Sequence, residues 1–314
     1  FLDRYLDLDA ALTEPSLETG LDAYQVVGVR PGPGAAGTVV NNLVALGVGR
    51  VLPVAVIGDD GEGYELRRAL AEMAAVDLAG VFAWEGRRTP TYTKPMLHAP
   101  GEEPHELNRL DFKNRRALPP AAERRLLEAL DAVWQRADAL VVLDQVSEPD
   151  CGVVTARVRE RLAELGAARP GPFMLADSRE RVGLFRSVCL KPNEGECLRA
   201  AGAEGGPAGA ARRLAARAQR TVFCTCGERG ILLAGPRGEE VRAVPAYPVR
   251  GPIDVVGAGD STSAGIACAV AAGAGLEAAA AFGNLVASVT VQQLGTTGAA
   301  SPAQVRQRWR EARA

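Results

Sequence analysis

Beyond residue 120 the sequence alternates helical and strand signatures, and this alternation restricts the fold more than any other feature. Residues 121–136 carry apolar side chains at helical spacing, and residues 139–143 form a short apolar run that ends at Asp144. Residues 153–165 are again helical in pattern, and residues 173–176 are a second apolar run, ending in Asp177-Ser178-Arg179. Strands that alternate with helices predict an α/β fold with a mostly parallel sheet and helices on both faces, because parallel neighbours need a crossover between them. Ligands of such sheets bind beyond the carboxyl ends of the strands, where Asp144 and Asp177 fall.

Composition excludes several classes. A chain of 314 residues can bury a large core as one domain or two modest ones. A net charge of −2 gives no reason to expect nucleic acid or an anionic membrane as partner. The longest apolar runs are rich in Ala and Gly and fall short of the ~20 residues of a membrane span. No secretory leader is visible, and six cysteines without framework spacing fit reduced thiols in a cytoplasm. Cys224-Thr-Cys226 lacks a second ligand pair for zinc and reads as alternation along a buried strand.

Chemistry concentrates in Asp254-Val-Val-Gly-Ala-Gly-Asp260, which opens an Ala-rich helix without proline. Gly257 and Gly259 stand where that helix begins. A glycine-rich turn there aims free N–H groups outward at the positive end of the helix dipole, an anion site suited to phosphate. Asp260 in the same turn reads either as a helix N-cap or as a base that takes a proton from an attacking hydroxyl. Asn193-x-x-Glu196 reads as helix capping or as oxygen ligands for a hard cation. The strand 221–225 runs into Cys226-Gly-Glu-Arg-Gly230 and then residues 231–234, a hairpin turn or a nucleotide loop.

Upstream, residues 25–30 read as a strand and residues 31–38 as a small-residue loop. A helix over 39–47 closes on Gly47, a strand spans 51–58, and Asp59-Asp-Gly-Glu-Gly63 turns into a helix over 64–75. Residues 89–97 and 106–112 predict a hairpin, which with residues 10–30 makes a small sheet outside the core. Residues 200–211 and 278–294 read as helices.

Asp254-x-x-Gly-Ala-Gly-Asp260 resembles the second signature of the ribokinase-like (PfkB) carbohydrate kinases. Gly34-Ala35-x-x-Thr38 with the following helix and Gly58-Asp-Asp resembles their first signature. Phe1-Leu-Asp-Arg-Tyr5, Arg109-Leu-Asp111 and Leu294-Gly-Thr296 resemble the heptose-kinase branch. The resemblance runs in family order along nearly the whole chain. It implies a ribokinase-like core over 1–9, 31–88 and 113–314, with a β-sheet lid from 10–30 and 89–112. The family's first core strand is expected upstream of Phe1.

The same resemblance implies an ATP-dependent phosphotransferase. Asp260 would be the base, and the Gly257, Ala258 and Gly259 amides the anion hole. Asn193 and Glu196 would hold Mg2+, and Thr225, Gly227, Gly230 and Asn284 the nucleotide. Asp3, Gly34, Ala35, Thr38, Asn42 and Arg109 would meet a sugar or polyol. ATP and Mg2+ are the implied cofactors, with room for a monovalent cation (K+), and the implied partner is a second copy joined through the lid.

Three departures bear on the sugar. Thr38 stands for the family's Asn, Met96 for a basic residue, and residues 145–150 lack the branch's lysine. A non-catalytic sugar or nucleotide sensor, and a kinase for a nucleoside or vitamin-like alcohol, are the other readings this sequence allows.

Overall fold

The computed structural model describes residues 1–168, 171–295 and 297–313. Strand periodicity begins at once. In β1 (Leu2–Asp9), Leu2 and Leu8 are buried, and Asp3, Tyr5 and Asp7 point to the opposite face. Two short strands, β2 (Glu14–Pro15) and β3 (Asp22–Ala23), pair with each other before β4 (Val26–Pro33) returns antiparallel to β1. Helix α1 (Ala36–Ala45), strand β5 (Ala55–Gly58), helix α2 (Gly61–Ala71) and strand β6 (Val81–Trp84) follow. Then β7 (Thr91–His98) lies parallel to β1, and β8 (His105–Glu106) and β9 (Leu110–Phe112) fold back antiparallel onto β7.

One expectation is corrected here. Residues 1–9 are expected in the core, but Leu2–Asp9 runs through the interior of the separate five-stranded sheet, whose order is β4-β1-β7-β8 with β9 also on β7. The alternation of apolar Leu2, Leu6 and Leu8 with polar neighbours is the pattern of a half-buried strand rather than of a fully buried one.

The remaining chain is the α/β layer. It contains α3 (Pro120–Trp134), β10 (Ala139–Asp144), α4 (Ala156–Ala168), β11 (Phe173–Ser178), β12 (Cys189–Leu190), α5 (Glu194–Ala201) and α6 (Gly206–Ala218). It closes with β13 (Val222–Thr225), β14 (Ile231–Ala234), β15 (Arg242–Val244), α7 (Ala258–Ala271), α8 (Leu276–Thr290) and α9 (Pro302–Glu311). The six strands lie in sequence order from β10 to β15; β10 to β13 pair in parallel, and β14 runs antiparallel to both β13 and β15.

Alternation along the strands sorts two cores. Met174, Ala176, Val222 and Cys224 pack among α3 to α6, whereas Leu175 and Phe223 pack against Ile266 of α7 and Ala279 and Ala280 of α8. Cys224 is thus a buried strand residue. The β5–β6 pair is separate from the six-stranded sheet. An apolar cleft of about 650 Å³ lies between them, lined among others by Val54, Ile57, Leu66, Leu140, Val142 and Leu162. No helix among the described residues is long and apolar enough to cross a membrane.

Helices α7 and α8 touch through glycines. A Cβ on Gly265 would sit 3.0 Å from the Gly283 Cα, and one on Gly283 would sit 2.9 Å from Ile266 Cγ1 and 3.1 Å from the Thr262 carbonyl. Two effects then oppose each other in Gly283→Ala. Helix propensity favours Ala by about 1 kcal/mol, whereas overpacking costs about 1–3 kcal/mol. Because one clashing atom is a backbone oxygen, the second effect wins. Urea denaturation of Gly283→Ala is expected to give a lower midpoint than the parent; a higher midpoint would show that the helices part at no cost.

Candidate active site

The N-terminus of α7 is shaped by Gly257, the helix N-cap, whose φ of 79° lies in the left-handed region that glycine adopts most easily. Asp254 fixes the approach, accepting hydrogen bonds from the amides of Val256 at 2.9 Å and Gly295 at 3.2 Å. Because Gly257 takes the cap, Asp260 falls within the first turn and is not an N-cap. The amides of Gly257, Gly259 and Asp260 donate to no protein acceptor among the described residues. The Ala258 amide, expected in the anion hole, donates instead to the Val255 carbonyl at 3.1 Å. That is a correction: the turn itself uses one of the three predicted donors.

Asp260 is poorly solvated. Burial, followed by the nearby Asp177 charge, pushes its carboxyl up to about 7; Lys191 and Arg179 oppose the shift and Asp3 adds to it. These neighbours come from the carboxyl ends of β11 and β12 and from the lid, so the strand ends and the lid converge on one carboxylate. Lys191 is almost fully buried and pairs with Asp177 Oδ2 at 2.8 Å. Sequence reasoning missed Lys191. The available signal was a lysine directly after the apolar run Val188-Cys-Leu190, at a buried strand end. Asp144, by contrast, is consumed structurally, paired with Arg181 at 2.9 Å and accepting from the Ser178 hydroxyl at 2.7 Å.

On the adjoining side, a bridge between Asn193 and Thr225 brings α5 next to the end of β13. Asn193 and Glu196 form a reciprocal capping box: Asn193 Oδ1 accepts from the Glu196 amide at 2.9 Å and Glu196 Oε2 accepts from the Asn193 amide at 2.8 Å. The capping reading is therefore realised, and it leaves Glu196 Oε1 without a hydrogen bond from the protein among the described residues. Burial, then the Asp177 charge, raises the Glu196 pKa.

The Thr225 hydroxyl and amide both face the Pro192 carbonyl, and the hairpin turn passes through Gly227 and Gly230 at φ of 58° and 87°. A Cβ on Gly227 would meet nothing within 4 Å, so the turn is open there; one on Gly230 would meet the Val244 carbonyl at 2.1 Å. Asn284 is buried, and its amide donates to the carbonyls of Val244 and Pro245. It shapes the end of β15, where a direct ligand contact was expected.

The opposite wall is the lid. Register puts Asp3, Tyr92 and Asp111 in one row and Tyr5, Lys94 and Arg30 in the next, all on one face. Lys94 Nζ is 3.8 Å from Asp3 Oδ2 and 3.1 Å from the Tyr5 hydroxyl. A Cβ on Gly34 would lie 2.7 Å from Asp3 Cγ, so only glycine lets the loop approach this carboxylate. Ala35 takes φ of 50° as it opens α1.

Thr38 is buried, and its Cγ2 lies 3.3 Å from where a Cβ on Gly257 would be, which brings the start of α1 against the start of α7. Asn42 is fully buried and donates to the carbonyls of Thr38 and Gly298. It supports α1 from below, which corrects its assignment as a substrate contact. Arg109 lies over the Tyr92 ring and forms two hydrogen bonds to Asp111.

The sequence model of the pfkB family carbohydrate kinases matches residues 7–304. The chain belongs to this family. It is a carbohydrate kinase by family. It is 30% identical over 278 residues to the bifunctional protein HldE of Trichlorobacter lovleyi, covering 87% of this chain and 54% of that protein. It is also 30% identical over 310 residues to the bifunctional protein HldE of Geobacter sulfurreducens, covering 97% of this chain and 60% of that protein. The kinase chain thus spans little more than half the length of these curated relatives, in keeping with the heptose-kinase branch of the family.

Its fold is ribokinase-like. Arabidopsis thaliana ribokinase complexed with ribose and ATP superposes with a TM-score of 0.68 at 18% identity, over 98% of this chain and 95% of that one. Escherichia coli phosphofructokinase-2 in complex with potassium gives 0.69 at 19% identity, over 100% and 97%. Of the branch motif Leu294-Gly-Thr296, Thr296 lies outside the described residues.

Proposed function

We propose that this kinase transfers the γ-phosphoryl group of ATP to a hydroxyl of a sugar or polyol, with Asp260 as the base. The observation that carries this reading is Asp260 itself: a desolvated carboxylate in the first turn of α7, beside unpaired amides, within electrostatic reach of Asp3 on the lid. A hydroxyl held by Asp3 would present its proton to Asp260 while the Gly257 and Gly259 amides hold the phosphoryl oxygens. Thr225, Gly227 and Gly230 would line the nucleotide side, where Gly227 leaves room for ribose and phosphates. Asn284 would shape that pocket from behind.

Among the described residues no group of three or more His, Cys, Asp or Glu could hold a metal alone. The donors fit Mg2+ that arrives with ATP and keeps its waters, with Glu196 Oε1 and Asn193 as outer contacts. When bound, Mg2+ would offset phosphate charge. A monovalent cation is a further candidate cofactor. The six free thiols suit a cytoplasmic setting.

The acceptor is proposed to be unphosphorylated. On the sugar-facing side of the lid, Lys94 stands by Asp3, Arg30 is bonded to Asp7 and Arg109 to Asp111. Each of these three cations already has a carboxylate, and Met96 shares their face. A sugar phosphate would need cationic partners, because an unpaired buried charge is costly. The second copy is proposed to dock on the other lid face, where Val29, Leu110 and Phe112 are exposed.

Two outcomes are expected of Asp260. Asp260→Asn should lose turnover by roughly 10²–10⁴-fold while ATP binding, read by calorimetry, stays near normal. In the parent enzyme kcat/KM should fall as pH drops through about 7, since only the ionised carboxylate accepts a proton. A flat profile from pH 5 to 9, or an active Asn variant, would remove Asp260 from the base role.

In side-by-side assays neutral sugars and polyols should be phosphorylated better than heptose 7-phosphate; a clear preference for the phosphorylated heptose would mean that the lid cations exchange partners to receive it. The protein should sediment as a dimer, and Val29→Asp with Leu110→Asp should sediment as a monomer. An unchanged dimer would locate the contact elsewhere.

A further inference from the structure

A small cavity between the five-stranded sheet and the end of β10 gathers polar groups that the reading above leaves unused. It measures about 10 Å³ and is lined by Tyr92, Lys113, Gln145 and Glu148, among others. That is room for one water or one hydroxyl oxygen. Tyr92 is the partner of Asp3 in the register of β1 and β7, so the cavity adjoins the face that carries Asp3. Gln145 directly follows Asp144, the last residue of β10.

The two charged residues are held from behind. Arg181 donates to the Ser147 carbonyl at 2.9 Å, and the Cys151 amide donates to the Glu148 carbonyl at 3.3 Å, which pins the loop around Glu148. Glu148 Oε1 lies 3.5 Å from the Arg115 guanidinium. Glu148 Oε2 is buried and accepts no hydrogen bond from the protein among the described residues. Lys113 follows β9, and the next residue, Asn114, is clasped to the Arg88 backbone by hydrogen bonds of 3.1 and 2.8 Å. Lys113 is half-buried and has neither an ion pair nor a hydrogen bond among the described residues. A buried carboxylate oxygen without a donor is costly, and a partner brought in from outside removes the cost.

We propose that Lys113 and Glu148 form a subsite that reads one neutral hydroxyl of the acceptor, other than the hydroxyl that is phosphorylated. The proposal rests on the kinase reading and deepens it by naming what the far end of the acceptor must carry. A hydroxyl both donates and accepts. It donates to Glu148 and accepts from Lys113, so one oxygen answers both groups. A phosphate dianion has no proton for Glu148 and is repelled by it. An ammonium offers Lys113 no acceptor and is repelled in turn, and a methyl group satisfies neither. The pair therefore selects a polyol terminus against acidic, amino and deoxy acceptors of the same length. No bond of the reaction is made or broken there. The two residues decide which molecule is held while Asp260 acts.

The test uses D-mannose and D-glycero-D-manno-heptose as acceptors. Each is compared with the analogue that lacks its terminal hydroxyl and with the analogue phosphorylated there. Steady-state rates with ATP and Mg2+ are measured on the parent chain, on Glu148→Gln and on Lys113→Met, and circular dichroism monitors the fold. In the parent, kcat/KM is expected to be about tenfold or more higher for a free sugar than for either of its derivatives, because the derivatives leave the polar pair unanswered. Glu148→Gln should raise the ratio of phosphorylated to free sugar about tenfold, since it removes the repelling charge and keeps the shape. Lys113→Met should bring each free sugar within about threefold of its deoxy analogue, whose own kcat/KM stays within about twofold of the parent value. A purely structural role would lower all acceptors alike. Equal losses across the acceptors, or ratios unchanged in both variants, would overturn the subsite and leave the cavity to a water molecule, with the kinase reading intact. A parent chain that transfers phosphate to none of these acceptors would overturn the sugar-kinase reading and the subsite together.

Discussion

The seating of one helix end governs this molecule. Helix α7 and its N-cap meet their neighbours closely at three glycines. Gly265 lies against Gly283 of α8, Gly257 against the Thr38 methyl of α1, and Gly259 against the Lys191 ammonium. Side chains in protein interiors pack at crystal-like density, so contacts this close fix position well. The free amides at the turn are useful only if they do not move when charge develops nearby. Backbone packing supplies that rigidity without placing any side chain in the pocket.

Charge is the second organising constraint. Asp3, Asp177, Glu196 and Asp260 come from four separate segments, and Lys191 is buried among them. Like charges in a poorly solvated place raise one another's affinity for protons. One buried lysine limits that repulsion but does not cancel it, and burial finishes the shift at Asp260. The result is a carboxylate whose proton affinity lies near neutral pH, where a base both stays ionised and retains driving force. Glu196 is steadied differently, by lending one oxygen to the Asn193 amide.

Sequence periodicity carried much of this. Helix and strand alternation beyond residue 120 reproduced the parallel core, and the Gly-Ala-Gly-Asp turn located the start of α7. Periodicity alone could not tell a strand of the lid from one of the core, which is why Leu2–Asp9 was assigned wrongly. Nor does spacing report where a donor goes. The Ala258 amide turns into its own loop, Asn42 and Asn284 spend their amides on carbonyls, and each of those partners is distant in sequence or hidden in a turn. Lys191 and Asp177 lie 14 residues apart (191 minus 177) on neighbouring strands, and only strand order makes them neighbours. Long-range pairing of that kind leaves no local trace in composition.

The contact between Thr38 and Gly257 also limits how such an enzyme can change. In the proposed reading position 38 faces the acceptor side, so it is a natural place to vary when a new acceptor is sought. Yet its methyl rests on the residue that begins the anion cradle, and a larger or differently branched side chain would shift the amides as well. On the proposed reading acceptor range and phosphoryl chemistry share a hinge pin, and mutational drift at that point is coupled. The lid positions 94 and 96 sit on a separate sheet without this tie. Evolutionary or laboratory retuning of the acceptor has a freer path through the lid than through the loop.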